Sequence, residues 1–369
     1  MAYLVMFATS ASMLSIAEKY RKRCNKNASV FFLIIGLLMP CILAGVRGFS
    51  VGNDVLLYGN YWFETATKSE SVVSYIDYAV RSDLGAGYAL LNWIISKITH
   101  NLHMYYFLFE LFQIIILYFA VKEYKEKLNV AFVFLVYYFL FYNESLNILR
   151  QIIAVLLVLY SYKYVKNKKI IKFILTIILA FTFHSSSLVG IVLYPLDWAM
   201  RSKLKKMYIG GILIISFICM VGYQQIFALL SNWGLLSTDR YIKYFSSDLV
   251  GGRVVRLLFW MIVMFSLIWK HKQCFKYIQE GRTLVLYASL SFVMTLLIFT
   301  SSAWIIRIAY YFDIFAILQL PLLAKVLPFR IKGQNGNYLI ITIFLLVYWI
   351  FSIVIRNNGG TYPFIFMTN

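Results

Sequence analysis

Asn147, Arg150 and Gln151 stand in the stretch NILRQIIAVLLVLY, at the mouth of an unbroken apolar run that begins at Ile152. Spaced i, i+3 and i+4, they share one helix face, which opens at the outer end of its span. That face offers three hydrogen-bonding side chains to a polar ligand or to a neighbouring helix. Arginine stays charged when partly buried, and its planar fork suits phosphate and carboxylate. An ionisable group at the edge of hydrocarbon is costly, so its presence is a functional signal. His184, in FTFHSSS, is a second candidate. An imidazole can be neutral or charged near pH 7, which suits a general base or a phosphate ligand. The structural alternative is a histidine at a helix break, with Ser185–Ser187 satisfying freed backbone groups.

Further cations repeat the pattern. Arg253 and Arg256 (GGRVVRLLFW) are one turn apart after a glycine pair, at the start of an apolar run. Arg307 lies one turn into its own run, with Tyr310 and Tyr311 at i+3 and i+4. Asp313, six residues on, points elsewhere on that helix, so stacking on the tyrosines is the structural alternative for Arg307. The stretch VRGFSVGNDVLLYGNYW brings Arg47, Asp54 and Tyr58 among glycines, and RSDLGAGYALLNWI brings Arg81, Asp83 and Tyr88. Carboxylates accept hydrogen bonds from sugar hydroxyls, and aromatic faces pack on sugar rings, although an aromatic belt at a membrane surface has a similar composition.

The elements that must position these groups are apolar helices. Of 369 residues, 62% are hydrophobic and 14% charged, with a mean hydropathy of +0.75. This composition excludes an ordinary soluble domain and predicts an all-α polytopic membrane protein. Apolar runs fall at 3–17, 30–46, 104–121, 130–142, 148–165, 170–183, 186–199, 207–223, 253–269, 283–301, 303–324 and 338–355. They predict about twelve transmembrane helices in a single transmembrane domain, 1–369. An outer loop, 47–102, contains a segment at 86–98 too short to cross, read as an interfacial or re-entrant helix. A second outer loop spans 224–252. The runs 170–183 and 186–199 read either as one long span broken at His184–Ser187 or as a short hairpin with His184 at its tip, about 20 Å from its start. The hairpin is favoured because a single crossing would put Arg201–Lys206 on the wrong side. The first apolar stretch has no basic residues before it and reads as a span rather than a cleaved leader. Cys24, Cys41, Cys219 and Cys274 are scattered, so neither a disulfide framework nor a metal site is expected.

The formal charge of +20 is explained by loop placement, and no nucleic-acid partner is needed. Basic groups at 19–26, 122–127, 163–172, 201–206, 270–282 and 325–332 all fall on one side of these spans, which makes that side cytoplasmic and puts both termini outside. Lysine dominates these groups. The remaining cations, near the outer ends of spans, are mostly arginine. A point charge suffices at the cytoplasmic surface, whereas a cluster of guanidiniums suggests an anion site facing outward. Snorkelling at helix ends is the plainer account of any one of them.

The segments VRGFSVGNDVLLY (46–58), LGAGYALLNWI (84–94), NILRQIIA (147–154), FHSSSLVGIVLYPL (183–196) and RIAYYFDIFAILQLP (307–321), in this order, resemble the EpsG-like branch of Wzy-type polysaccharide polymerases. Two positions depart from the pattern: Asn53 stands where a small hydroxyl residue is expected, and Gly85–Ala86 where an acidic residue is usual. The resemblance implies a GT-C-like fold in the bacterial cytoplasmic (inner) membrane. It implies a glycosyltransferase that needs no cofactor and moves a growing glycan from undecaprenyl diphosphate to a lipid-linked repeat unit on the outer face. Membrane lipid and a chain-length regulator are further partners it suggests. The arginines would then recognise the diphosphate and stabilise its departure, and His184, or more weakly Asp54, would act as base. A transporter or flippase of an anionic lipid-linked glycan would also use an arginine-lined cavity, but repeated halves with matching broken helices are not evident. A membrane-embedded acyltransferase would also use a histidine, but it would face a cytoplasmic acyl donor.

The topology is directly testable. A reporter fused after Lys127, Lys169 or Lys206 should read as cytoplasmic, and one after Asn369 as external. A cytoplasmic carboxyl terminus would refute the span count.

Overall fold

The computed structural model describes residues 1–203, 207, 210–211, 214, 253–300, 304–331 and 334–367. Long helices dominate. α1 (Ala2–Lys22) and α2 (Lys26–Gly45) pack along each other, followed by a π-helical segment (Val55–Asn60) and the short helices α3 (Tyr61–Lys68), α4 (Val72–Arg81) and α5 (Ala86–Ser96). α6 (Leu102–Val121) leads to α7 (Val130–Tyr137), which continues through a π segment (Tyr138–Tyr142) into α8 (Asn143–Asn147). Then come α9 (Leu149–Lys166), α10 (Ile170–Phe183), a 3-10 segment (Ser185–Val192) and α11 (Leu193–Arg201). The later part comprises α12 (Arg253–Trp269), α13 (His271–Tyr277), α14 (Gly281–Thr300), α15 (Trp304–Asp313), α16 (Ala316–Val326) and α17 (Asn337–Trp349), which ends in a π segment (Ile350–Ile355). One two-residue antiparallel ladder, Arg330–Ile331 with Gln334–Asn335, precedes α17.

Among the described residues, four helices are long and apolar enough to cross a membrane, or up to six if each bent pair is one span. The run expected at 303–324 is such a pair, bent by 46°, and the run from 253 turns by 76° into α13. The expected span 207–223 lies largely outside the described residues. The expected loop 224–252, with Asp239, lies wholly outside them. The segment 170–199 is a hairpin. Tyr194 returns to within 5.5 Å of Phe173, ring to ring, and Gly190 packs against Ile177 and Val158. The two pairs within the hairpin, Phe173 with Tyr194 and Ile177 with Gly190, are centred beside His184. Exposed Ile171, Leu175, Ile178 and Leu179 form an apolar outer face on α10, as expected where a helix meets lipid.

One expectation is corrected. Asn147, Arg150 and Gln151 do not share a helix. The chain breaks at Ile148 (φ −82°, ψ 58°), so Asn147 ends α8 while Arg150 and Gln151 open α9. The i, i+3, i+4 relation holds only along continuous helix, and nothing in the apolar pattern marks the reversal.

The ends of the bundle differ in charge. At one end Arg21 bonds Glu126 at 2.5 Å, Lys166 bridges Glu123 (3.0 Å) and Glu280 (3.7 Å), and Asp197 holds Arg201 (2.7 Å) and accepts from Thr283 (3.0 Å). These pairs tie most of the basic loops together. At the other end the Tyr3 hydroxyl donates to Thr361 O (2.5 Å), and Arg47 forms an isolated antiparallel bridge with Phe366. The amino terminus, the loop after α2 and the carboxyl-terminal tail therefore meet at the end away from the basic loops.

Inside the bundle, interrupted helices are mended by side chains. Pro40, within α2, has no N–H for the carbonyl one turn back. That carbonyl, Gly36 O, accepts instead from Ser10 Oγ at 2.7 Å, and Ser10 is itself 2.7 Å from the Tyr138 hydroxyl. Gly36 permits the approach, because a Cβ there would press on the Leu14 side chain. Ser10→Ala should therefore lower stability by about 1–2 kcal/mol, the scale of an interhelical hydrogen bond, read as a lower melting temperature in detergent. Pro40→Ala restores the local N–H and should offset that loss. An equal Ser10→Ala cost with and without Pro40 would refute the account.

Candidate functional site

Asp54 is held by backbone contacts from three parts of the chain. The tail runs beside the loop after α2: Gly48 N donates to Ile365 O (2.8 Å), Met367 N to Val46 O (2.9 Å), Gly52 N to Gly360 O (2.9 Å) and Asn53 N to Gly359 O (3.1 Å). Gly52 has φ +107°, and a Cβ there would lie 2.7 Å from Leu146 O, so both conformation and space require glycine. From α8, the Asn147 Oδ1 accepts from Asp54 N at 3.2 Å. Arg47, 1% exposed, donates from Nη1 to Leu146 O (2.7 Å) and lies 4.1 Å from the Tyr106 ring centroid. It thus satisfies a last-turn carbonyl of α8 that the break at Ile148 leaves open.

Arg150 enters from the first turn of α9. Its Nη1 donates to Asp83 O (3.1 Å), and its guanidinium stacks 4.1 Å from the Tyr58 ring. Gln151, buried beside it, donates from Nε2 to Arg307 O at 2.6 Å, which joins α9 to α15. His184 comes from the hairpin tip. Its Nδ1 is 2.7 Å from Ser186 Oγ and 3.3 Å from Ser186 N, and Ser186 Oγ is 2.9 Å from the Tyr311 hydroxyl. Gly85 and Gly87 let the segment before α5 lie on the end of α10. A Cβ at either would run into Thr182. An acidic side chain at position 85 has no room here.

These residues enclose a polar cleft of about 240 Å³, lined by Asp54, Leu57, Tyr58, Ile148, Arg150, Gln151, His184 and Arg307. Of the residues expected at a site, Asp54, Arg150, Gln151, His184 and Arg307 line it. Arg47, Asn147 and Tyr311 stand behind it and hold its parts. Arg81 is exposed at the end of α4 and pairs with Asp77 at 2.8 Å, away from the cleft. Arg256 is ion-paired with Asp313 and lies 5.5 Å from the Tyr310 ring. Asp313 therefore does pair with an arginine, one on another helix. Arg253 is half-buried in the first turn of α12 and is not a lining residue.

Sequence reasoning missed the positioning roles of Ser186, of the Asp83 carbonyl and of the Gly359–Gly360 tail. The glycine pair signals tight backbone, but neither glycine carries a chemical group that would draw attention. The cleft is electrostatically mixed. Burial raises the Asp54 carboxyl above its ordinary range, and Arg307 and then Arg150 pull it back down. His184, in the reverse turn, is pushed down to about 3, first by burial and then by Arg150 and Arg307. The imidazole is therefore neutral near pH 7. The lining carries two guanidiniums and one carboxylate, a set suited to a small, highly charged anion. The cleft volume is below the usual range for drug-sized ligands, roughly 300–1,000 Å³, so a larger ligand would place only its charged head inside.

No curated protein and no solved structure matches the chain. The EpsG family model matches residues 3–366, nearly the whole length. That match takes in every segment that builds the cleft, from the Asp54 loop to the tail that braces it, and the chain belongs to the EpsG family.

Proposed function

We propose that this protein is a polysaccharide polymerase of the cytoplasmic membrane, a glycosyltransferase that moves a growing glycan from undecaprenyl diphosphate to a lipid-linked repeat unit. The observation that carries the reading is the convergence of Arg150 and Arg307, from different helices, with Asp54 and His184 on one small cleft. The cleft lies at the end away from the basic loops, which supports an outward-facing site by the positive-inside rule. About twelve crossings, with 47–102 as an outer segment over the cleft, fit the same rule.

The chemistry follows from the groups available. The bond between the donor sugar's anomeric carbon and the diphosphate oxygen breaks, and an acceptor hydroxyl oxygen bonds to that carbon. The hydroxyl proton passes to a base, for which Asp54 is suited when ionised. The bonding electrons leave with the diphosphate, whose charge rises as the bond breaks. Arg150 and Arg307 stabilise that charge where it develops, which lowers the barrier. Tyr58 holds the Arg150 guanidinium by stacking and so limits the reorganisation required. The glycan itself extends beyond the cleft.

Purified protein given a lipid-diphosphate-linked repeat unit should produce a glycan ladder. Arg150→Lys keeps the charge but loses the fork. It should cost about ten- to a hundredfold in rate, or about 1.4–2.8 kcal/mol of barrier, at normal protein level. A ladder of wild-type yield from Arg150→Lys would reduce the residue to an anchor.

The pH profile tests Asp54 separately. A base must be ionised, so activity should rise with pH through the raised pKa of Asp54, above the ordinary carboxylate value of about 4. Arg150 favours the ionised form. Arg150→Gln should therefore shift the acid limb of the residual activity to higher pH. A limb that stays in place would remove Asp54 from the base role.

A further inference from the structure

The hydrogen bonds around His184 decide which of its nitrogens carries the proton. Ser186 N, a backbone donor that cannot accept, approaches Nδ1 at 3.3 Å. Ser186 Oγ approaches the same nitrogen at 2.7 Å and the Tyr311 hydroxyl at 2.9 Å. One proton arrangement satisfies every atom: the Tyr311 hydroxyl donates to Ser186 Oγ, and Ser186 donates to Nδ1 from both its hydroxyl and its backbone. Nδ1 then holds a lone pair, and the single proton of a neutral imidazole sits on Nε2. The opposite tautomer would set an Nδ1–H against the Ser186 N–H. Tyr311 is buried on α15, so the relay is anchored outside the hairpin. Among the described residues Nε2 has no partner, and His184 lines the cleft beside Arg150 and Arg307.

We propose that Ser186 and Tyr311 lock His184 as an Nε2–H donor, which binds a phosphate oxygen of the ligand alongside Arg150 and Arg307 and does not act as the base. The inference rests on reading the cleft as a lipid-diphosphate site. His184 then becomes a third donor to the diphosphate, and Asp54 is left as the cleft's proton acceptor. Ser186 and Tyr311 are positioning residues: they act on the ligand through the imidazole.

Two substitutions separate donor from base. The His184→Gln amide can place an N–H near the Nε2 position, whereas His184→Asn is too short and mimics the Nδ1 side. A donor role predicts that His184→Gln keeps glycan extension within about tenfold of wild type while His184→Asn loses more. A base role predicts that both lose about a hundred- to ten-thousandfold, and that result would overturn the proposal.

A second measurement needs no turnover. The full chain, labelled with nitrogen-15 histidine in lipid nanodiscs, has four histidines, and the His184 signals are those absent from His184→Gln. They should report a neutral Nε2–H ring at pH 7, a mixed tautomer in Ser186→Ala, and an Nε2 shift when farnesyl diphosphate is added. Farnesyl diphosphate should bind Ser186→Ala about three- to tenfold more weakly, the scale of one lost hydrogen bond. An Nδ1–H ring or an imidazolium at pH 7 would overturn the inference whatever the cleft binds. An Nε2–H ring that farnesyl diphosphate leaves unmoved would instead refute the diphosphate reading, and the donor role with it.

Discussion

A backbone N–H or C=O inside an apolar bundle has no water to bond, and each one left open costs free energy on the order of kilocalories per mole. The architecture of this chain follows from how that demand is met where helices are interrupted. Pro40 opens a carbonyl that Ser10 closes. The break at Ile148 leaves Leu146 O to Arg47 and sends the Asn147 side chain to Asp54 N. Asn143 accepts from Trp349 Nε1 and donates to Thr361 Oγ1, which fastens the last helix and the tail to α8. The groups that repair interrupted backbone are thus the ones that position the cleft, and the site and the stability of its end of the bundle cannot be separated.

The cleft forms where three turns meet: the loop after α2, the reversal at Ile148 and the hairpin tip at His184. α9 is common to all of them. It packs against α6 and α10, and Gln151 ties it to α15. Small residues set the distances. Gly85 and Gly87 bring the segment carrying Asp83 onto the end of α10, and that carbonyl fixes Arg150. Gly52, Gly359 and Gly360 let the tail lie along the Asp54 loop. Rigid support of this kind matters for an electrostatic site, since guanidiniums aimed in advance at a developing charge need little reorganisation during reaction.

Charge is sorted along the bundle by side-chain chemistry. At the basic end Arg21 and Lys166 pair with exposed or half-buried Glu126 and Glu123, contacts that screening makes weak, and Lys166 and Arg201 also reach the buried Glu280 and Asp197. At the opposite end Arg47 is buried, Arg256 is largely buried and Arg150 is stacked on Tyr58, while Arg81 is exposed and paired within its own helix. Arg47 braces backbone, Arg256 neutralises Asp313, and Arg150 and Arg307 face the cleft. Arginines that look alike in the sequence therefore do different work.

Composition and hydropathy alone determined that this is a helical membrane protein with lysine-rich loops on one side, because burial in lipid constrains every residue of a span and leaves a signal along its whole length. The order of five short segments indicated the family. Asp54, Arg150, Gln151, His184 and Arg307 were legible as candidates because a polar residue is conspicuous against apolar surroundings. Their grouping was not. Arg47, Arg150 and Arg256 look alike in sequence, and tertiary contacts alone separate a backbone brace, a cleft residue and a buried ion pair. The reversal at Ile148 was hidden because both sides of it are apolar and helical, so the pattern continues through the turn. The hydrogen-bond partners of His184 depend on a tyrosine 127 residues away in the chain. Local spacing constrains neighbours within a turn or two of helix, and contacts across such separations exist only once the bundle has packed.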